Sequence, residues 1–536
     1  MIDTAVTPIS LEIFRSALTA VAEEMGTVLT LSSYSPNIKE RRDFSCALFD
    51  AQGRLIAQAA HIPVHLGAMP DSVAAALASF DSFSPGDIIA LNDPYLGGSH
   101  LPDITLIAPL YADPGDGSTP QLIGFAANRA HHSDVGGMSP GSMPLAREIY
   151  QEGLIIPPLK LWEAGQPNQA LLTLILRNVR TADERRGDLA AQVAANRTAA
   201  KRLQEMVERW GLAALTAHTE AMLAYARRIT EATITAIADG RYHFSDQLDD
   251  YGLNTEPVKI AVTVIIEGAR FTADFTGSDP QVQGNINTVA SVTRSATYYV
   301  VRCLMPDDAP MNDGTFQPVT VIAPEGTVVN AHAPAGVAQG NVETSQRITD
   351  VLFGALAQAL PGSIPAASQG TMNNISAGGI DPRTQQPFAY YETMGGGMGA
   401  RPHLDGLSGV HVHMSNTLNT PVEAFEYAYP MRITRYQLRD DSGGAGAARG
   451  GDGLIREITF EVPTNVTLLS ERRTFAPYGL QGGEAGQRGE NHLYYADGQK
   501  QKLPGKVTFI AQPGDRLEVA SPGGGGWGKR EPEEEA

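Results

Sequence analysis

His100 and Asp103 stand three residues apart in NDPYLGGSHLPDI (92–104), and His131, His132 and Asp134 follow in RAHHSDVGG (129–137). Imidazole and carboxylate groups together form a ligand set for Zn²⁺, Mn²⁺ or Fe²⁺. The sequence between the two groups supplies the geometry. A β run, ITLIAPLY (104–111), leads through a turn-rich stretch, ADPGDGSTP (112–120), into a second β run, QLIGFAANRA (121–130). If the runs pair as an antiparallel hairpin, the start of the first lies beside the end of the second. The 100–103 and 131–134 groups then meet at one end of a sheet, and the glycines on both sides let backbone approach closely. The same spacing also describes a polar loop end with hydrogen-bonded histidines. Asp43, in ERRDFSC (40–46), is a further candidate ligand, and equally an Asp paired with its Arg neighbours.

Other chemistries find less support. Asp134-Val135-Gly136-Gly137 resembles the D-x-G-G-T phosphate loop of actin-like ATPases, but Met138 follows and no second phosphate loop is present. No Walker-type motif occurs either, so no nucleotide site is expected in this chain. GGGGW (523–527) lacks a following helix to aim at phosphate and reads as a turn. The G-x-S-x-G nucleophile elbow is missing. The Gly136–Ser142 loop reads as a surface turn, or as backbone amides for a substrate carboxylate or oxyanion.

These residues need rigid elements to position them. Leu11, Phe14, Leu18, Val21, Met25 and Val28 have helical spacing, with Ser10 as the expected N-cap. Residues 41–58 read as two strands around Ala51-Gln52-Gly53, and 69–80 as a helix. Leu189, Val193, Leu203, Met206, Val207 and Trp210 mark one helical face within 183–237, with Gly211 as the break before a second helix. KIAVTVIIEG and RFTADFTG read as a hairpin, and 343–360 as another helix. Asn341, Glu343 and Gln346 open that helix as caps or polar ligands; Arg401, His403 and Asp405 follow a glycine stretch; His411 and His413 alternate on an expected strand. The fold class that follows is α+β, a mixed multi-layer fold. It divides into an α+β metal-binding region (1–180), a helical region (181–255), a β-rich, Gly-rich region (256–528) and a disordered tail (529–536).

Bulk composition narrows the class. The 536 residues are 42% hydrophobic and 18% charged, with 55 Gly and 35 Pro, which suits a globular chain with many turns. The net charge of −19 argues against nucleic-acid binding. No apolar run is long enough to span a membrane, and MIDTAVTPISLEIF lacks a signal peptide's basic and apolar regions. Two cysteines, Cys46 and Cys303, read as buried thiols of a cytoplasmic protein.

Taken together, RRDFSCALFD (41–50), GDIIALNDPYLGGSHLPDI (86–104), RAHHSDVGGMSPGSMP (129–144), NVRTADERRGDLAAQVAAN (178–196), GNVETSQRITD (340–350), MGGGMGARPHLDG (394–406) and PGGGGWG (522–528) resemble the B-type subunits of the hydantoinase/oxoprolinase family. The resemblance implies a two-component amidohydrolase acting on a hydantoin, 5-oxoproline or a lactam. An A-type partner with an actin-like ATPase fold would bind ATP and Mg²⁺ and phosphorylate the amide oxygen, in a hetero-oligomer such as α2β2. The B-type chain would bind a divalent metal, Zn or Mn and possibly Fe, and complete hydrolysis. By the same resemblance Asp43, His100, Asp103 and His131 are the metal ligands. The resemblance places His132 behind the ligands and makes Asp134 either a ligand or the group that orients His131 or the metal-bound water, both expected in catalysis; Gly136, Gly137, Ser139 and Arg401 are the candidate substrate contacts. Related acetone and acetophenone carboxylases share the B-type chain, so a carboxylase component is a second reading and a non-catalytic scaffold a third.

Overall fold

The computed structural model describes residues 6–59, 61–113 and 119–530. The first helix, Pro8–Ser32, opens on a capping box. Thr7 Oγ1 accepts from the Ser10 amide and Ser10 Oγ accepts from the Thr7 amide. Thr7 is therefore the cap and Ser10 its reciprocal partner, so the helix starts earlier than the sequence suggests. Phe14, Leu18, Val21, Met25 and Leu29 are buried from this helix into a core shared with helix Ala182–Trp210.

Seven strands make the N-terminal sheet: β1 (Phe44–Asp50), β2 (Leu55–Gln58), β3 (Ile88–Leu91), β4 (Asp103–Ala112), β5 (Gln121–His131), β6 (Leu159–Glu163) and β7 (Gln166–Pro167). Their order is β2-β1-β5-β4-β3-β6-β7, with every pair antiparallel. The β4–β5 hairpin forms as the sequence predicts, and its register sets Asp103 directly opposite His131. Most of the connecting stretch 112–120 lies outside the described residues, as does 531–536 of the tail.

Helix Ala182–Trp210 covers this sheet and continues after Gly211, at φ +83°, into helix Leu212–Thr235. All six residues of the predicted helical face are buried. A second sheet joins β8 (Gly240–Leu248), β9 (Val258–Glu267), β10 (Arg270–Asp274) and β11 (Val319–Ile322), and helix Ser345–Ala359 packs on it. The 343–360 helix thus begins at Ser345; a π-helical turn, Gly340–Thr344, precedes it and holds Asn341 and Glu343.

The C-terminal strands interleave. β12 (Asn374–Asp381), β13 (Gln386–Glu392), β16 (Thr464–Leu469) and β19 (Lys506–Ala511) form one sheet. β14 (Met431–Arg439), β15 (Gly453–Phe460), β17 (Glu490–Tyr494), β18 (Lys500–Leu503) and β20 (Arg516–Ala520) form the other. The fold class is α+β, as expected from the sequence.

Three local expectations need correction. The 523–527 segment is not a turn. Its amides and carbonyls bond to neighbouring glycine-rich segments, Gly444 to Gly524, Gly524 to Gly451, and Ala400 to Gly525, so extended backbones stack almost side-chain-free. A Cβ on Gly524 would lie 2.1 Å from the Met398 carbonyl oxygen, which is why the spacing demands glycine. His411 and His413 do not alternate on a strand; the segment is irregular, with His413 at φ +54°. Cys303 is exposed, because it faces a cavity mouth, whereas Cys46 is buried.

Candidate metal centre

Each side chain of the centre is placed by a different local device. The β4–β5 register brings Asp103 and His131 face to face. His100 is folded back onto them by the turn before β4, in which the Asp103 amide donates to the His100 carbonyl at 3.1 Å. Three ligand atoms converge. His100 Nε2 and His131 Nδ1 lie 3.2 Å apart, and Asp103 Oδ1 lies 3.1 Å from the first and 3.2 Å from the second. All three residues are buried.

The outer contacts orient these atoms. His100 Nδ1 lies 3.2 Å from the Ala338 carbonyl oxygen, which can only accept. The proton therefore sits on Nδ1, and in the neutral ring the inward Nε2 carries a lone pair, as in a metal-binding histidine. His131 stacks on the Tyr391 ring at 4.4 Å between centroids and 18° between planes. The Tyr391 hydroxyl donates to Asn374 Oδ1 at 2.7 Å, and Asn374 Nδ2 donates to Glu343 Oε1 at 2.7 Å. Burial lowers the His131 pKa and the Asp103 contact opposes that; burial would raise Asp103, but the His100 and His65 imidazoles hold it well below the usual carboxylate range. A neutral imidazole and an ionised carboxylate are the forms that ligate a cation. The set fits a divalent metal, because two imidazole nitrogens and a carboxylate oxygen converge at about 3.2 Å in a buried site, the donor set such an ion takes.

Sequence reasoning missed His65. It lies in the short turn Pro63–His65 after β2, with Nε2 3.3 Å from Asp103 Oδ2 and Nδ1 2.9 Å from Ser45 Oγ. No spacing motif links it to His100 or His131, so packing alone reveals it. Asp43 lies at the edge of the group. Its carboxylate lines the same small cavity as His65, Asp103, His131 and Tyr391, with Arg41 Nη2 at 3.8 Å, but it is not among the three converging residues.

The remaining predicted residues are placed elsewhere. His132 turns to helix Ala182–Trp210, with Nε2 3.0 Å from Gln192 Oε1; burial lowers its pKa to about 4. Asp134 pairs with Arg180 at 2.8 Å and accepts from the Gly136 amide, so it organises its own loop. Gly136 and Gly137 pack under the Asn178 and Glu152 backbones at φ near +90° and +81°. Loop amides are used internally: Val135 donates to Ser142 Oγ and Met138 to the Gln151 carbonyl. Ser139 is buried in that loop with its hydroxyl unpartnered. Arg401 is exposed at the rim of a different, larger cavity. Asp405 accepts from the Arg449 amide, and the His403 ring lies 6.4 Å from Trp527. Gln346 Nε2 donates to the Val412 carbonyl at 3.0 Å.

A buried His-Asp-His cluster at a hairpin end, walled by a C-terminal sheet, defines a chain built around a candidate metal centre. The chain belongs to the hydantoinase B/oxoprolinase family, whose model matches residues 7–530. It is 39% identical to 5-oxoprolinase 1 of Arabidopsis thaliana over 546 residues, covering 97% of this chain and 42% of that much longer one. A protein of Pseudomonas sp. (strain NS671), provisionally named as the B component of a D-/L-hydantoinase, is 33% identical over 554 residues, covering 98% and 91% of the two chains. The crystal structure of the ATP-dependent caprolactamase from Pseudomonas jessenii superposes with a TM-score of 0.90 at 29% identity, covering 98% of this chain and 92% of that one. Among the described residues, no helix is long and apolar enough to cross a membrane.

Proposed function

We propose that this chain is the metal-bearing B-type component of a two-component, ATP-dependent cyclic-amide hydrolase. The observation that carries the reading is the convergence of His100 Nε2, Asp103 Oδ1 and His131 Nδ1 in a chain of this family. A lactam or imide carbonyl is a poor electrophile, and phosphorylation of its oxygen by an A-type ATPase partner makes that oxygen a leaving group. The metal, when bound, supplies Lewis-acid activation of the attacking water. His100, Asp103 and His131 hold it, and Asp43 faces the same cavity as a fourth candidate ligand. His65 and Ser99 hold Asp103 Oδ2, which leaves Oδ1 beside His100 Nε2 and His131 Nδ1, where it would serve as a ligand; Ser99 Oγ donates at 2.6 Å. His132 and Asp134 act through structure, fixing the helix and the 134–142 loop behind the centre.

The test is reconstitution. The chain is mixed with an A-type ATPase partner, ATP and a panel of hydantoins, 5-oxoproline and lactams, and ring opening is followed against phosphate release. Ring opening coupled to phosphate, needing both chains and lost in His100→Ala, is the expected result. Turnover that persists in metal-free His100→Ala protein refutes a catalytic metal centre. Product formation that requires bicarbonate identifies a carboxylase instead.

A further inference from the structure

A roomy cavity lies not at the candidate metal centre but beside it. It encloses about 830 Å³, within the range of small-molecule sites. Its lining is mainly apolar, with Ile237, Leu304, Met305, Phe353, Ile364 and Met398 among it and the hydroxyls of Thr233, Ser363 and Ser368 interspersed. One edge is polar. The Tyr299 hydroxyl lies 3.4 Å from His413 Nδ1, and His413 Nε2 lies 4.0 Å from Asp350 Oδ1, a buried oxygen with no hydrogen-bond partner. Burial holds His413 below its ordinary pKa and Tyr299 well above, so both present neutral groups. Among the described lining residues only Arg401 carries a full charge, and it is exposed at the rim.

A single turn separates this cavity from the metal centre. His411, Val412 and His413 line the large cavity, while Met414, Ser415 and Thr417 line the small one that holds Asp103 and His131. The turn is held by His411 Nδ1 and Ser415 Oγ at 2.8 Å and carries left-handed backbone at His413. Backbone strain of this kind persists where surrounding structure fixes it, commonly at functional sites.

We propose that this cavity is the chamber that receives the ring of an uncharged cyclic amide, next to the metal centre; the proposal rests on the hydrolase reading above. An apolar wall suits the ring methylenes, and the Tyr299–His413 edge offers hydrogen bonding to one amide. A carboxylate seated among the apolar walls would lose its hydration, and the one full positive charge of the lining, Arg401, stands at the solvent-exposed rim rather than beside them. The chamber therefore selects plain lactams and hydantoins over carboxylated rings.

Cys303 reports on occupancy. It is exposed in the cavity lining, whereas Cys46, the other cysteine, is buried. The full-length chain is alkylated with N-ethylmaleimide in the presence of 2-pyrrolidone, ε-caprolactam, hydantoin or 5-oxoproline, before and after treatment with a chelator. The neutral rings are expected to slow Cys303 modification saturably, equally in both states, and 5-oxoproline to slow it least. Filling the mouth with Ala236→Trp, or with Ser363→Trp if the first variant is unstable, removes the protection. Tyr299→Phe raises the half-protecting concentration about fivefold, the loss of one hydrogen bond. No protection by any neutral ring, protection abolished by chelation, or full turnover in both tryptophan variants overturns the chamber. Turnover without protection refutes the chamber and leaves the hydrolase reading standing. Protection without turnover in the reconstituted complex leaves the chamber and refutes the hydrolase.

Discussion

At the scale of single residues, the centre depends on which atom of each side chain faces inward. Asp103 divides its two oxygens: Oδ1 meets His100 and His131, while Oδ2 is held by Ser99 and His65. His65 therefore orients a ligand from behind. His65→Ala should weaken metal binding by about 10–100-fold, as loss of an outer partner does, and chelator competition measures it; unchanged affinity would place His65 outside the centre. The three converging residues were legible because each has a fixed place relative to one hairpin, and strand pairing turns sequence positions into contacts. His65 was not, because a residue in a three-residue turn after β2 reaches Asp103 only through the packing of that turn on the sheet. His132 and Asp134 show the converse limit. They are close to His131 in sequence, but their side chains turn to Gln192 and Arg180. For His132 the strand's alternation holds: like Asn128 it faces Gln192, on the side opposite to Arg129 and His131, so neighbouring positions in the sequence meant opposite faces.

At the scale of elements, a loop from the second half of the chain fixes the first half's ligand. Glu152 Oε1 accepts from the Val337 amide at 2.9 Å and the Ala338 amide at 3.0 Å, and the Ala338 carbonyl fixes the His100 ring. Burial pushes the Glu152 carboxyl up to about 8 from an ordinary 4.5. The folded protein then keeps a proton that the unfolded chain releases above 4.5. Stability from this group is present in full below 4.5 and falls as pH rises towards 8. Glu152→Gln keeps the accepting oxygen and removes the titration. The thermal midpoint of the variant, relative to wild type, should rise between about pH 5 and about pH 9; a pH-independent difference would show that Glu152 does not titrate abnormally. The helices and the β4–β5 hairpin were legible from periodicity, which reports one long-lived face per element. The π-helical turn at Gly340–Thr344 and the irregular turn at His411–His413 were not, since both are imposed by neighbours: Thr344 bonds to the Ile286 carbonyl, and Gln346 holds the Val412 carbonyl.

At the scale of the whole molecule, two features join distant parts of the chain. One is the layer of glycine-rich backbones around Gly524, Gly450 and Met398. Gly524→Ala forces a methyl against the Met398 carbonyl and should cost at least about 2 kcal/mol. Gly362→Ala is the control, because nothing lies within 4 Å of its Cβ and no positive φ is required; equal thermal midpoints for the two variants would contradict the packing argument. The other feature is the metal centre itself. Its candidate ligands come from the hairpin end of the N-terminal sheet, yet His131 is covered by Tyr391 of β13 and His100 is fixed by Ala338. One hydrophobic core likewise runs from Ile62 to Leu469. A cation held by His100, Asp103 and His131 thus closes a junction between both halves, and its binding energy is added to the folded state. Free Zn²⁺ or Mn²⁺ at about 100 times its dissociation constant should stabilise chelator-treated protein by about 2.7 kcal/mol. The rise in thermal midpoint should follow metal concentration and vanish in Asp103→Asn, which keeps the side chain's shape and removes its charge. A rise that survives in Asp103→Asn but is lost in the Asp43→Asn, Asp103→Asn double variant would make Asp43 the carboxylate that holds the cation, and one that survives in both would locate the stabilising cation elsewhere.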